Sequence, residues 1–91
     1  MNDTNMACLK NIAKVYKVKG NLDKSLKYLD DAEKLDPNDY EVLIIKAECY
    51  LIMNKPKKAI ALFNKVIKEF PDRPEIYHSL SVAYILDNQV E

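Results

Sequence analysis

The side chains that could do chemistry are few in this 91-residue chain: two cysteines, Cys8 and Cys49, one histidine, His78, and a lysine series, Lys10, Lys14 and Lys17. Tetrahedral metal sites draw on close pairs such as Cys-x-x-Cys, and neither the cysteines nor His78 have such a neighbour. Both cysteines are expected as small buried residues. His78 has no nucleophile or carboxylate motif converging on it, and there is no glycine-rich phosphate loop or triad order. The chain is therefore expected not to be an enzyme and to need no metal or cofactor, with His78 a surface histidine. The lysines fall at i, i+4 and i+7, on one face of a helix. Such a face is either simply solvated or a receptor for a carboxylate, since like charges on one face repel and gain from an anionic partner.

The overall charge argues against polyanion binding. The 14 basic and 14 acidic residues cancel, leaving no general field to hold nucleic acid or an anionic membrane by counterion release. Arg73 is the one arginine, so bidentate phosphate recognition is scarcely represented. The longest aliphatic run, Val42 to Ile45, is far short of the roughly 18 residues that a membrane span needs. The N-terminus lacks a basic region followed by an apolar one, and a cytoplasmic protein is expected.

Helices must position these residues. Apolar positions at Met6, Leu9, Ile12, Ala13 and Tyr16 make one helical face, and Gly20 stops it. Leu22, Leu26, Leu29, Ala32 and Leu35 make a second, closed by Pro37, which lacks an N–H and cannot continue a helix. Asn38 with Glu41, and Asp72 with Glu75, have the spacing of capping boxes that open the third and fifth helices. Pro56 suits the first position of a fourth, whose stripe runs from Ala59 to Phe70. The fifth carries Ile76, Tyr77, Leu80, Ala83 and Tyr84. The third has more aliphatic residues than one stripe requires. With Leu43, Ala47 and Tyr50 on the core face, Ile44, Ile45, Leu51 and Ile52 point elsewhere, either to neighbours on both sides or to an exposed binding strip.

The elements recur. At a period of 34, Tyr16 superposes on Tyr50 and Tyr84, Gly20 on Asn54 and Asn88, and Pro37 on Pro71. This pattern resembles the tetratricopeptide repeat family, a helix-turn-helix of that period. The resemblance implies an all-α fold, a right-handed stack of antiparallel helix hairpins with five helices and about two and a half repeats. The expected division is a polar tail over 1–5, repeats over 6–39 and 40–73, and the first helix of a third over 74–91. In the family the small positions next to bulky ones let helices approach closely. Here Lys46 departs from an apolar position and is expected to run its stem along the core, and Ser25 replaces alanine, its hydroxyl expected to bond the preceding turn.

The resemblance also implies where a ligand would lie. First helices of each hairpin line the concave surface in this family, and ligands are usually peptides. Its groove positions fall here on Lys10, Asn11, Lys14 and Lys17, then Glu41, Ile44, Ile45, Glu48 and Ile52, then His78 and Val82. A protein-interaction module is expected, with a partner peptide that is amphipathic and acidic towards the first repeat. The carboxylate clamp of chaperone-binding members is not expected, because Lys14, Ile45, Glu75 and Ser79 stand at four of its key positions. The rival expectation is a structural or oligomerisation piece of a longer array, with a homodimer formed through the edge of Leu80, Tyr84, Ile85 and Leu86.

Overall fold

The structure is a computed structural model that describes the backbone of residues 2–90 and the side chains of residues 5–88. Five helices follow one another, α1 (Asn2–Lys19), α2 (Leu22–Leu35), α3 (Tyr40–Ile52), α4 (Pro56–Glu69) and α5 (Pro74–Val90). The described residues contain no strand. Short connections force each helix back along its predecessor, so α1 pairs with α2 and α3 with α4, and α2–α3 and α4–α5 contacts join these units. First helices also touch one another, α1 against α3 and α3 against α5.

The turn inside each hairpin has the same chemistry. Gly20 at φ +85° donates to the Lys17 carbonyl at 3.1 Å, and Asn21 donates to the Tyr16 carbonyl at 2.9 Å. Thirty-four residues on, Asn54 at φ +61° donates to Leu51 at 3.0 Å and Lys55 to Tyr50 at 2.8 Å. Both are Schellman motifs, in which a left-handed residue satisfies carbonyls that the helix end would leave open. Asn88 does not make a third, because it lies inside α5.

Other boundaries differ from the expectation. Helix α1 already includes Asn2–Asn5. Asp39, not Asn38, caps α3, its Oδ1 accepting from the Glu41 and Val42 amides at 3.0 and 3.4 Å. Asn38 instead donates its amide to Asp36 Oδ1 at 3.1 Å in the turn around Pro37. A cap one residue nearer the helix can reach the orphan donors of its first turn, and the Asx turn positions it.

Helix α3 divides the interior. Its Val42, Ile45 and Cys49 face a cluster with Met6, Ala13, Leu29 and Ala32, while its Leu43 and Ala47 face a second with Ala59, Phe63, Val66 and Ile76. With 3.6 residues per turn, two opposite strips of α3 remain for solvent: Glu41, Glu48 and Ile52 on one side, Lys46 and Tyr50 on the other. Its surplus of aliphatic residues thus serves neighbours on both sides. Ile45 is only 3% exposed, and Ile44 and Leu51 are half-buried against the second cluster, so of the four only Ile52 is exposed. An apolar strip of four residues is not there.

The tyrosine series is less buried than a core position requires. Tyr16 and Tyr50 are half-buried and Tyr84 is exposed, as are Ile12, Leu35, Phe70 and Tyr77. Tyr16 stacks on Tyr28 with centroids 5.8 Å apart. Tyr40 packs against Phe70 at 4.9 Å under the Arg73 guanidinium, 4.5 Å from the Tyr40 ring, which closes the α3–α4 hairpin at its far end. Ser25 is fully buried, and its hydroxyl donates across the helix pair to the Ala13 carbonyl at 2.7 Å instead of to its own preceding turn. With that proton committed, the Cys49 thiol at 3.4 Å is left to donate to Ser25 Oγ. Burial pushes the Cys49 thiol up. Cys8 is exposed and both cysteines are free, so the expectation of two buried cysteines holds only for Cys49.

Candidate functional site

The lysine face of α1 is not vacant. Lys10 Nζ lies 3.0 Å from both Asp39 and Glu41, Lys14 Nζ 2.8 Å from Glu41, and Lys17 Nζ meets Glu48. The amines of α1 are thus laced to carboxylates at the start of α3 and along it, in a ladder joining the first helices of successive hairpins. Burial pulls the Lys10 ammonium down, yet the bonds to Asp39 and Glu41 outweigh it and leave Lys10 raised. The bonds from Lys14 and Lys10 hold the Glu41 carboxyl below its ordinary value. An acidic ligand reaching these lysines would have to displace carboxylates already in place.

This ladder should be labile to acid. Because Glu41 ionises more readily in the folded chain, the unfolded chain binds more protons as the pH drops below the ordinary carboxyl value of 4.5. The contribution is present above that value and is lost as the pH falls through the depressed one. Glu41→Gln should therefore melt below the parent at neutral pH, with the gap closing on acidification. Parallel stability curves for the two proteins across that range would contradict the role given to Glu41.

The remaining groove positions are scattered in burial. Asn11, Ile52, His78 and Val82 are exposed, Glu48 and Ile44 half-buried, and Ile45 is in the core. Ile45 cannot be an anchor for a ligand on this face without the fold opening. At the last helix, Leu80 packs partly against the second cluster and Leu86 is half-buried, while Tyr84 and Ile85 are 48% and 57% exposed. Lys46 does not simply reach water: its amine is 2.8 Å from both Asp30 and Glu33 of α2. Burial opposes its charge, and those two bonds overcome it and raise its pKa.

One apolar surface extends beyond the expected core face. Ile12, Val15 and Val18 on the outer side of α1 are 37%, 52% and 82% exposed, bordering shallow recesses with Lys14 and Lys19. Ile12 is expected on the core face, and Val15 and Val18 follow it at three-residue spacing. Among the described residues no group of three or more His, Cys, Asp and Glu is placed to hold a metal ion, and no helix is long and apolar enough to cross a membrane.

Stacked helix hairpins with a repeated Schellman turn and equivalent first helices in contact define a helical-hairpin repeat protein. A family model described as tetratricopeptide repeat matches residues 19–83, and the chain belongs to that family. No curated protein matches the chain. Membership suggests a protein–protein interaction module, in a family that is typically a non-catalytic scaffold.

Proposed function

We propose that the protein binds a short segment of a partner protein along the face formed by α1, α3 and α5. The observation that carries this reading is the exposure of Ile52 on α3 and of Val82 and Ile85 on α5, on helices whose other described large aliphatic residues are buried or half-buried. The ion-pair ladder shifts the weight of recognition away from α1: aliphatic or aromatic anchors against α3 and α5 come first, and carboxylates of the ligand compete with Glu41 and Glu48 for the lysines. Affinity around micromolar is expected, because few anchors fit and a disordered segment must be ordered on binding.

Peptides selected from a displayed random library give the test. Val82→Asp or Ile52→Asp should weaken the selected peptides about tenfold or more, by placing an unpaired charge at an anchor site, while leaving the melting temperature nearly unchanged. Selected peptides that bind both variants as well as the parent would place recognition elsewhere.

A second reading is self-association through α5, favoured by the exposure of Tyr84 and Ile85 side by side. Light scattering should then show mass rising with concentration, and Ile85→Asp should abolish the rise. A parent that stays monomeric throughout the series would end this reading.

A further inference from the structure

The side of the stack opposite the lysine ladder carries a charged surface of a different kind. Helix α4 bears Lys57, Lys58, Lys65 and Lys68 against a single carboxylate, Glu69. Lys58, Ala61, Lys65 and Lys68 are offset by three, seven and ten residues, so they share one exposed face over about 15 Å of helix. Lys57 is bonded to Asp87 of α5 at 3.1 Å and stands to the side of this row. A lysine row alone would be an ordinary solvated face. This one borders a recess of about 280 Å³ lined by Lys46, Tyr50, Lys58, Ala61 and Leu62. The recess has an apolar floor, the Tyr50 ring and the Leu62 side chain, both half-buried. Its Lys46 amine is paired with Asp30 and Glu33 of α2, whereas Lys58 belongs to the exposed lysine row of α4.

From this juxtaposition we infer that the α3–α4 recess and the lysine row form a second docking surface, for a short acidic segment of another protein carrying one large apolar side chain. The apolar side chain enters the recess over Leu62 and Ala61, beside the Tyr50 ring that Lys58 covers. The carboxylates that flank it lie along Lys58, Lys65 and Lys68. Nucleic acid fits less well. The row has no arginine, and Lys58 Nζ already covers the Tyr50 ring at 5.4 Å from its centroid, which removes that face from base stacking. A membrane surface fits less well too, because Ile60, Leu62 and Ile67 of α4 are half-buried and leave no large apolar residue on that helix to insert. The surface is independent of the α1–α3–α5 face.

The test is fluorescence anisotropy with a labelled peptide, Glu-Asp-Leu-Glu-Glu, beside the same peptide with serine for leucine and a single-stranded oligonucleotide. The leucine peptide should bind best. Lys58→Glu with Lys65→Glu should weaken it about tenfold or more, as should the leucine-to-serine change, because one removes the charge partners and the other the anchor. Ala61→Glu, at an exposed helical position bordering the recess, should do the same without lowering the melting temperature, and Val82→Asp should have no effect. The inference is overturned if the serine peptide or the oligonucleotide binds as tightly as the leucine peptide, if none of the probes binds, or if the lysine reversals leave the affinity unchanged.

Discussion

Ile45→Asp unfolds the protein. Ile45 is 3% exposed and packs in the cluster that α3 shares with α1 and α2, among Val42, Cys49, Leu29 and Ala13. Ser25, the one buried polar side chain among the described residues, already gives its proton to Ala13. An aspartate there is buried either as an unpaired charge or as a protonated acid without a partner, at a cost of several kcal/mol against a total stability on the order of 5–15 kcal/mol. A small domain lies near the lower end of that range, so far-ultraviolet circular dichroism should show loss of helix at ambient temperature. Two controls sharpen the result. Ile45→Val should cost only about 0.5–1.5 kcal/mol. Ile52→Asp, one helical face away and exposed, should stay within about 0.5 kcal/mol of the parent. If Ile45→Asp stayed folded with an unchanged melting temperature, the residue would be on the surface and the division of the core by α3 would be wrong.

That substitution also marks where sequence reading stopped. Gly20, Asn54, Pro37 and the caps act on their own neighbours in the chain, so helix number, turn positions and the 34-residue register were legible from local chemistry alone. Which side of α3 meets which neighbour is not local. Ile44, Ile45, Leu51 and Ile52 are alike as residues, and only the docking of α1–α2 on one side and of α4–α5 on the other separates the buried from the exposed. The lysine ladder was closer to legible than it looked. Lys10 and Lys17 are seven residues apart on α1, and Glu41 and Glu48 are seven apart on α3, so two helices running the same way in successive hairpins could match them. Taken by themselves, the lysines fit a solvated face or a carboxylate receptor; the carboxylates of α3 decide between these and a contact inside the fold. Ser25 shows the same limit on a smaller scale: its acceptor is on α1, twelve residues away, where the hairpin brings the backbones together. The recess beside Lys58 combines Tyr50 and Leu62 from two helices and has no signature along the chain.

Phe63→Ala should separate the two halves of the stack. Phe63 is fully buried at the centre of the second cluster, among Leu43 and Ala47 of α3, Ala59 and Val66 of its own helix, and Ile76 of α5. Removing the ring deletes its transfer free energy and leaves a cavity that small neighbours such as Ala47 and Ala59 cannot fill, a loss of about 3–5 kcal/mol. The loss is not shared evenly, because α5 is held to the rest through α4 and α3 and, among the described residues, has no contact with α1 or α2. Hydrogen exchange should show the amides of α5 and of the second half of α4 losing protection first. Those of α1 and α2, which rest on the first cluster, should retain more of theirs, as expected for cooperative units of unequal stability. Phe63→Leu should recover a large part of the difference, since it refills most of the volume without a polar atom. Uniform loss of protection across all five helices would mean that the two clusters fold as one unit and that α3 transmits the defect instead of confining it.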